Sequence, residues 1–203
     1  MTNPTKINYQ MAQFLKSAAK CSQLPEDTGI EVAFIGRSNA GKSSALNILT
    51  GQKRLARISK TPGRTQLINL FTLDDERMLV DLPGYGYASV PENVKKDWRK
   101  LMEDYLAGRK SLKGLVLLMD SRHPMKPFDI TMIDYARGLD LPVHILLTKS
   151  DKLSKSASQS TLLNLKRELT NFPGDISAQL FSALNRTGLD ELRDKMDRWF
   201  FSV

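Results

Sequence analysis

The segment Gly36-Arg37-Ser38-Asn39-Ala40-Gly41-Lys42-Ser43 constrains this chain more than any other. It follows the apolar run Ile30-Glu31-Val32-Ala33-Phe34-Ile35 and precedes the helical pattern Ser44-Ala45-Leu46-Asn47-Ile48-Leu49. A G-x-x-x-x-G-K-S pattern between a strand and a helix turns its backbone N–H groups toward a phosphate. The glycines let the backbone fold tightly, and the following helix adds the positive end of its dipole. Lys42 then brings a flexible point charge to the β- and γ-phosphates, and the Ser43 hydroxyl is placed to bind Mg²⁺.

The 203 residues suit one domain spanning 1–203, with residues 1–29 as an extension packed on or beside a 30–203 core. Hydrophobic content of 41% and charged content of 26% are ordinary for a globular protein. Lys and Arg outnumber Asp and Glu by 30 to 22, which favours an anionic partner, nucleic acid or membrane surface. The single Cys21 excludes an internal disulfide and fits a reducing compartment, so a cytoplasmic location is expected. Two His and one Cys do not suggest a zinc site. Residues 1–20 hold no continuous apolar segment of the signal-peptide kind, and no run approaches the roughly 18–20 apolar residues of a membrane span.

Along the chain, Met1 to Gly29 reads as a mixed extension in which Phe14-Leu15 and Ala18-Ala19 pack on the domain. Gly51 to Arg64 carries Lys53, Arg54, Arg57, Lys60 and Arg64 without an acidic residue, and reads as a long exposed loop. Gln66 to Leu73 and Arg77 to Leu82 form an antiparallel hairpin around Asp74-Asp75-Glu76. Ser89-Val90-Pro91-Glu92 has capping-box spacing and opens a helix with Val94, Trp98, Leu101 and Tyr105 on one face. Leu115–Met119 and Val143–Leu147 are near-continuous apolar strands of the kind buried in parallel sheets, with His144 read as structural and a helix from Pro127 to Arg137 between them. Leu162, Leu165, Leu169 and Phe172 mark another helix face, Ile176–Phe181 a last strand, and Thr187-Gly188-Leu189-Asp190 a cap for the final helix. The alternation predicts a three-layer, doubly wound α/β fold: a six-stranded, mostly parallel sheet with one antiparallel strand, and ligands at the strands' carboxyl ends.

Four short motifs follow the phosphate loop, each near a strand end: Thr65, Asp81-Leu82-Pro83-Gly84, Thr148-Lys149-Ser150-Asp151 and Ser182-Ala183-Leu184. Any one alone is weak; the ordered set selects a guanine nucleotide. Guanine offers N1–H and a 2-amino group, and the Asp151 carboxylate accepts from both. Adenine would leave that carboxylate unpaired. Lys149 can lay its stem on the base, backbone N–H groups near Ser182-Ala183 can donate to O6, Asp81 holds Mg²⁺, and the Gly84 N–H can bond the γ-phosphate.

These motifs resemble those of the translation-factor-like P-loop GTPases, and more closely the EngB (YihA/YsxC) family of ribosome-biogenesis GTP-binding proteins. The resemblance rests on Gly36 to Ser44, Thr61-Pro62-Gly63-Arg64-Thr65-Gln66, Asp81-Leu82-Pro83-Gly84-Tyr85-Gly86-Tyr87 and Thr148 to Asp151, and covers nearly the whole chain. It implies GTP or GDP with Mg²⁺ as ligands, the metal on Ser43, Thr65 and Asp81, and Lys42, Thr65 and Gly84 at the reacting phosphate. It extends the nucleotide contacts to Ser44, Gly63, Arg64, Gln66, Leu67 and Phe181. It also implies a role in large-subunit (50S) ribosome assembly and in cell division and septation. Two positions depart from the general GTPase pattern: Thr148 stands where Asn is commoner, which predicts a looser tie to the phosphate loop, and Tyr85 stands where many GTPases carry a water-orienting Gln.

The reading is of a switch with slow intrinsic hydrolysis, residues 51–66 and 83–89 being its two nucleotide-sensitive loops. A P-loop kinase or ATPase, or an RNA-binding module with a vestigial nucleotide site, are the alternatives. Asn39 suggests assistance by K⁺. The basic loop, with Lys95, Lys96, Arg99 and Lys100, suits ribosomal RNA on the 50S subunit better than a membrane, since no amphipathic anchor accompanies it. No apolar stripe is left over, so a monomer is expected.

Overall fold

The computed structural model describes residues 6–56, 67–85 and 91–202. In chain order the elements are β1 (Gln13–Ala18), β2 (Ile30–Gly36), α1 (Lys42–Thr50), β3 (Ile68–Thr72), β4 (Arg77–Asp81), α2 (Glu92–Gly108), β5 (Leu112–Asp120), α3 (Pro127–Gly138), β6 (Val143–Thr148), α4 (Lys155–Leu169), β7 (Ile176–Leu180) and α5 (Leu189–Phe201). The sheet order is β1-β3-β4-β2-β5-β6-β7. Among the described residues only β3 runs against its neighbours, pairing antiparallel with β1 and β4; the other ladders are parallel.

Among the described residues the sheet therefore has seven strands where six were expected. The added strand is β1, inside the segment read as a mixed extension. Ser17 pairs with Asn69 and Ala18 with Ile68, and the register shifts between Phe14 and Lys16. As an edge strand it buries only Ala18 and leaves Phe14 and Leu15 exposed, so it lacks the alternation that betrays a half-buried strand.

Period-two alternation in β2 sets the layers. Ala33 and Ile35 face α2, α3 and α4, where Trp98, Tyr105, Ile133 and Leu165 pack. Val32 and Phe34 face α1 and α5, where Leu46, Leu49, Met196 and Phe200 pack. The expected face of α2 is buried, although Val94 is only half-buried. Two expected caps differ. Ser89 lies outside the described residues, and α2 starts at Glu92 behind Pro91, whose ring offers no acceptor. Before α5 the capping residue is Gly188, with no side-chain cap, while the Thr187 hydroxyl donates to Asn185 Oδ1. His144 is structural: its Nδ1 meets Ser177 Oγ at 2.8 Å and its Nε2 meets Gln179 Oε1 at 2.7 Å. Glu31, fully buried at the start of β2, accepts from Tyr105 Oη at 2.7 Å and from Arg109 at 2.6 and 2.9 Å.

Candidate functional site

The phosphate loop links β2 to α1. Gly36 is required by a close approach, because an added Cβ would sit 2.7 Å from the Leu118 carbonyl of β5. Gly41, at φ +95°, caps α1 in a region that strains any side chain. Asn39 has φ +63°, which Asn tolerates better than most residues, so the turn alone accounts for it. Ala40 N–H donates to Arg37 O at 3.0 Å, closing the loop around the start of α1. Lys42, Ser43 and Ser44 open that helix, where N–H groups and dipole point into the enclosed space. Because β2 and β4 are parallel neighbours, the end of β4 lies beside it, and Lys42 Nζ donates to Asp81 Oδ1.

Past Asp81 the chain stays zipped to the phosphate loop. Leu82 N–H donates to Phe34 O, Tyr85 N–H to Gly36 O and Ser38 N–H to Tyr85 O, at 2.9, 3.3 and 2.9 Å. Gly84 lies against Gly36. The Tyr85 phenol is buried rather than exposed to a phosphate. Its ring packs edge-on to Trp98 and beside Phe128, and its hydroxyl donates to Asp129 Oδ1 at 2.5 Å. A buried phenol needs an acceptor, and Asp129 at the start of α3 supplies it. Burial pushes both the Tyr85 hydroxyl and the Asp129 carboxyl up. Trp98 Nε1 donates to Pro83 O at 3.0 Å, tying the same segment to α2.

The other end of the site forms where β6 and β7 finish. Thr148 Oγ1 reaches Ala40 O at 2.6 Å and Met119 O at 3.1 Å, so the tie to the phosphate loop expected to be loose is a close one. Lys149, at φ +56°, folds its amine back to Asn39 O at 2.7 Å and to Asp120 Oδ2 at 2.9 Å. Asp151 Oδ1 accepts from Ser182 Oγ at 2.6 Å, and that bond holds its carboxyl below the usual range. Ser150 N–H donates to Phe181 O at 3.2 Å and joins the two loops. The Ser182 N–H is engaged with Thr187 O, which leaves Ala183 as the backbone donor of that pair. The side chains of Leu82 and Phe181 are buried in the core, so these two meet the site through their backbone alone.

The sequence-predicted residues of the phosphate loop, of Asp81 to Gly84, of Thr148 to Asp151 and of Phe181 to Ala183 thus gather at one sheet edge. Leu67 precedes β3 and is half-buried. Gly63, Arg64, Thr65 and Gln66 lie outside the described residues, as do Gly86 and Tyr87. The start of the expected exposed loop is anchored instead. Asn47 on α1 bonds Ala56 in both directions, at 2.8 and 3.1 Å, Gln52 Nε2 donates to Ala12 O at 2.7 Å, and Ala56 is buried. Sequence reasoning missed Asp120 and Arg122. Arg122 grips Asp120 through Nε at 2.9 Å and Nη2 at 2.7 Å, and with Lys149 it pulls the Asp120 carboxyl well down. The available signal was Asp-Ser-Arg directly after an apolar strand, at the edge where the other motifs cluster.

A G-x-x-x-x-G-K-S loop between β2 and α1, a D-x-x-G segment docked on it and a carboxylate held by Ser182 at the carboxyl edge of a doubly wound sheet define a P-loop GTPase. Residues 31–149 match the family model described as 50S ribosome-binding GTPase. Over 198 residues the chain is 55% identical to the probable GTP-binding protein EngB of Mannheimia succiniciproducens, covering 98% of this chain and 97% of that one. It is 59% identical to the protein of the same name from Francisella philomiragia, covering 96% of this chain and all of the relative. The chain belongs to the EngB family of GTP-binding proteins. Among solved structures, a probable GTP-binding protein engB shares the fold with a TM-score of 0.68 at 24% identity, over 84% of this chain and 98% of that one. Era in complex with MgGDPNP and a segment of 16S ribosomal RNA shares it with a TM-score of 0.65 at 22% identity, over 85% of this chain and 57% of Era. Among the described residues no helix is long and apolar enough to cross a membrane.

Proposed function

We propose that this GTPase is a slow switch that assists assembly of the large ribosomal subunit in the cytoplasm and is needed for normal septation. The Asp151–Ser182 pair carries the nucleotide part. A carboxylate held acceptor-side out, beside a phosphate loop tied to the same strand end by Thr148 and Lys149, is built for a guanine with its phosphates attached. Lys42 would meet the β- and γ-phosphates. The Ser43 hydroxyl and the Asp81 carboxylate, with Thr65, form an all-oxygen donor set that suits Mg²⁺. Bound there, the metal would neutralise charge developing on the transferred phosphoryl group. The N–H of Gly84, already against the phosphate loop, is the sensor of the γ-phosphate.

Slow hydrolysis is supported by Tyr85. The residue after D-x-x-G is turned into the core on Asp129, so that position presents no side chain to orient water. An unassisted rate of about 10⁻³ s⁻¹ or less is expected, the scale of GTPases lacking an activating partner. Phosphate release measured with and without 50S subunits tests this, and about 10 s⁻¹ from the isolated chain would refute it.

The ribosomal role draws on the description of the matching family, on the net charge of +8, and on Lys53 and Arg54, which are exposed just past the end of α1. Sedimentation with 30S, 50S and 70S particles should show 50S binding that is tighter with a non-hydrolysable GTP analogue than with GDP. If about six RNA phosphates are contacted, affinity falls by about 10³ or more between 50 and 200 mM salt. Replacing Lys53, Arg54 and Arg57 with Ala should flatten that slope and leave GTP affinity nearly unchanged. Co-sedimentation indifferent to nucleotide, salt and these substitutions would refute the proposal, and depletion without filamentous growth would refute the septation role.

A further inference from the structure

Across three adjacent strands, Ser17 of β1 pairs with Asn69 of β3, and Asn69 pairs with Asp81 of β4. The side chains of this row are linked. Ser17 Oγ donates to Asn69 Oδ1 at 2.7 Å, and Asn69 Nδ2 donates to Asp81 Oδ2 at 3.4 Å, while Lys42 Nζ holds the other oxygen, Oδ1. The order of donors is forced. A carboxylate only accepts, so the amide must turn its NH₂ to Asp81, and its oxygen then takes the Ser17 proton. Asn is depleted in strands, because its side chain competes for backbone hydrogen bonds. An Asn inside β3, facing the one acidic side chain that closes β4, therefore calls for a reason beyond strand formation.

We propose that Asn69 is a positioning residue for the Mg²⁺ site: oriented by Ser17, it fixes the rotation of the Asp81 carboxylate. The inference rests on the reading of Asp81 as part of the Mg²⁺ donor set. When Lys42 turns to the nucleotide phosphates, Asn69 is the partner that keeps the carboxylate in the plane it now occupies. Outer hydrogen-bond partners of metal ligands act in this way and typically alter metal affinity by about 10- to 100-fold. The consequence reaches beyond the 30–203 core, because β1, at the chain's amino end, contributes the hydroxyl that sets the amide.

The test is release of a fluorescent GDP as a function of Mg²⁺ concentration, for wild type, Asn69→Leu, Ser17→Ala and Ser17→Thr. Asn69→Leu should raise the Mg²⁺ concentration that half-slows release by about tenfold. Ser17→Ala should move it in the same direction by less, and Ser17→Thr, which keeps the hydroxyl, should restore the wild-type value. Release in EDTA should be the same in all four proteins, because the phosphate loop and Asp151 are untouched. Ser17 is exposed, so its two variants carry the test if Asn69→Leu does not fold. Unchanged midpoints, or release that speeds equally in Mg²⁺ and in EDTA, would make the row structural and overturn the proposal. A wild type whose GDP release ignores Mg²⁺ would overturn the metal reading as well as this one.

Discussion

Asp151→Asn should exchange guanine for xanthine preference, and the structure fixes which way the new amide faces. Ser182 Oγ accepts from the Leu184 N–H at 3.2 Å and gives its own proton to Asp151 Oδ1 at 2.6 Å. An Asn oxygen keeps that bond, so its NH₂ replaces Oδ2 and faces the base. Guanine then meets donor against donor at its 2-amino group and loses a charged acceptor at N1–H. Hydrogen bonds to charged groups contribute about 1.5–3 kcal/mol each, so two lost bonds amount to about 3–6 kcal/mol. That is about 10²- to 10⁴-fold in affinity. The 2-oxo group of xanthine instead accepts from the new NH₂. Equilibrium titrations of both proteins with fluorescent GDP and xanthosine diphosphate measure the exchange, and the diphosphates keep hydrolysis out of the comparison. Equal GDP affinity in the two proteins, or no gain for xanthosine diphosphate, would refute the assignment of Asp151 and its orientation by Ser182.

Burial lowers the His144 pKa to about 4 from 6.5, so the fold holds the imidazole neutral where the unfolded chain protonates it. Stability is full above pH 6.5 and falls as pH drops toward 4, by about 2 kcal/mol between pH 7 and 5; urea unfolding of wild type and His144→Gln measures it, and parallel pH curves would refute it. Tyr105→Phe strips one donor from buried Glu31 and should cost about 1–3 kcal/mol. Arg109→Ala leaves that carboxylate without its cation and should cost about 3–5 kcal/mol; unchanged denaturation midpoints would show that the pair does not hold β2 against α2. If Asn39 assists a monovalent cation, GTP hydrolysis is faster in K⁺ than in Na⁺ at one ionic strength, whereas identical rates would confine Asn39 to its turn.

The sequence by itself determined the parts whose chemistry is local. Gly36 to Ser43 folds as a loop because of its own glycines and the helix that follows. Near-continuous apolar runs in β5 and β6 announced buried parallel strands, and the order of motifs announced the nucleotide, because the motifs at Asp81, Thr148 and Ser182 stand at or just past the ends of strands of recognisable pattern. Tertiary structure decided whatever depends on a partner distant in the chain. β1 exists because β3 offers it an edge, and its own residues carry almost no alternation. Tyr85 is turned from the phosphates because Asp129, 44 residues away, accepts its proton in a pocket shared with Trp98 and Phe128. Thr148 holds the phosphate loop closely because parallel pairing brings the ends of β2, β5 and β6 to one edge, where a hydroxyl is long enough to reach Ala40. Asn69 and Asp120 looked like ordinary polar residues for the same reason: a hydrogen bond across the sheet is set by register, and register is a property of the assembled strands.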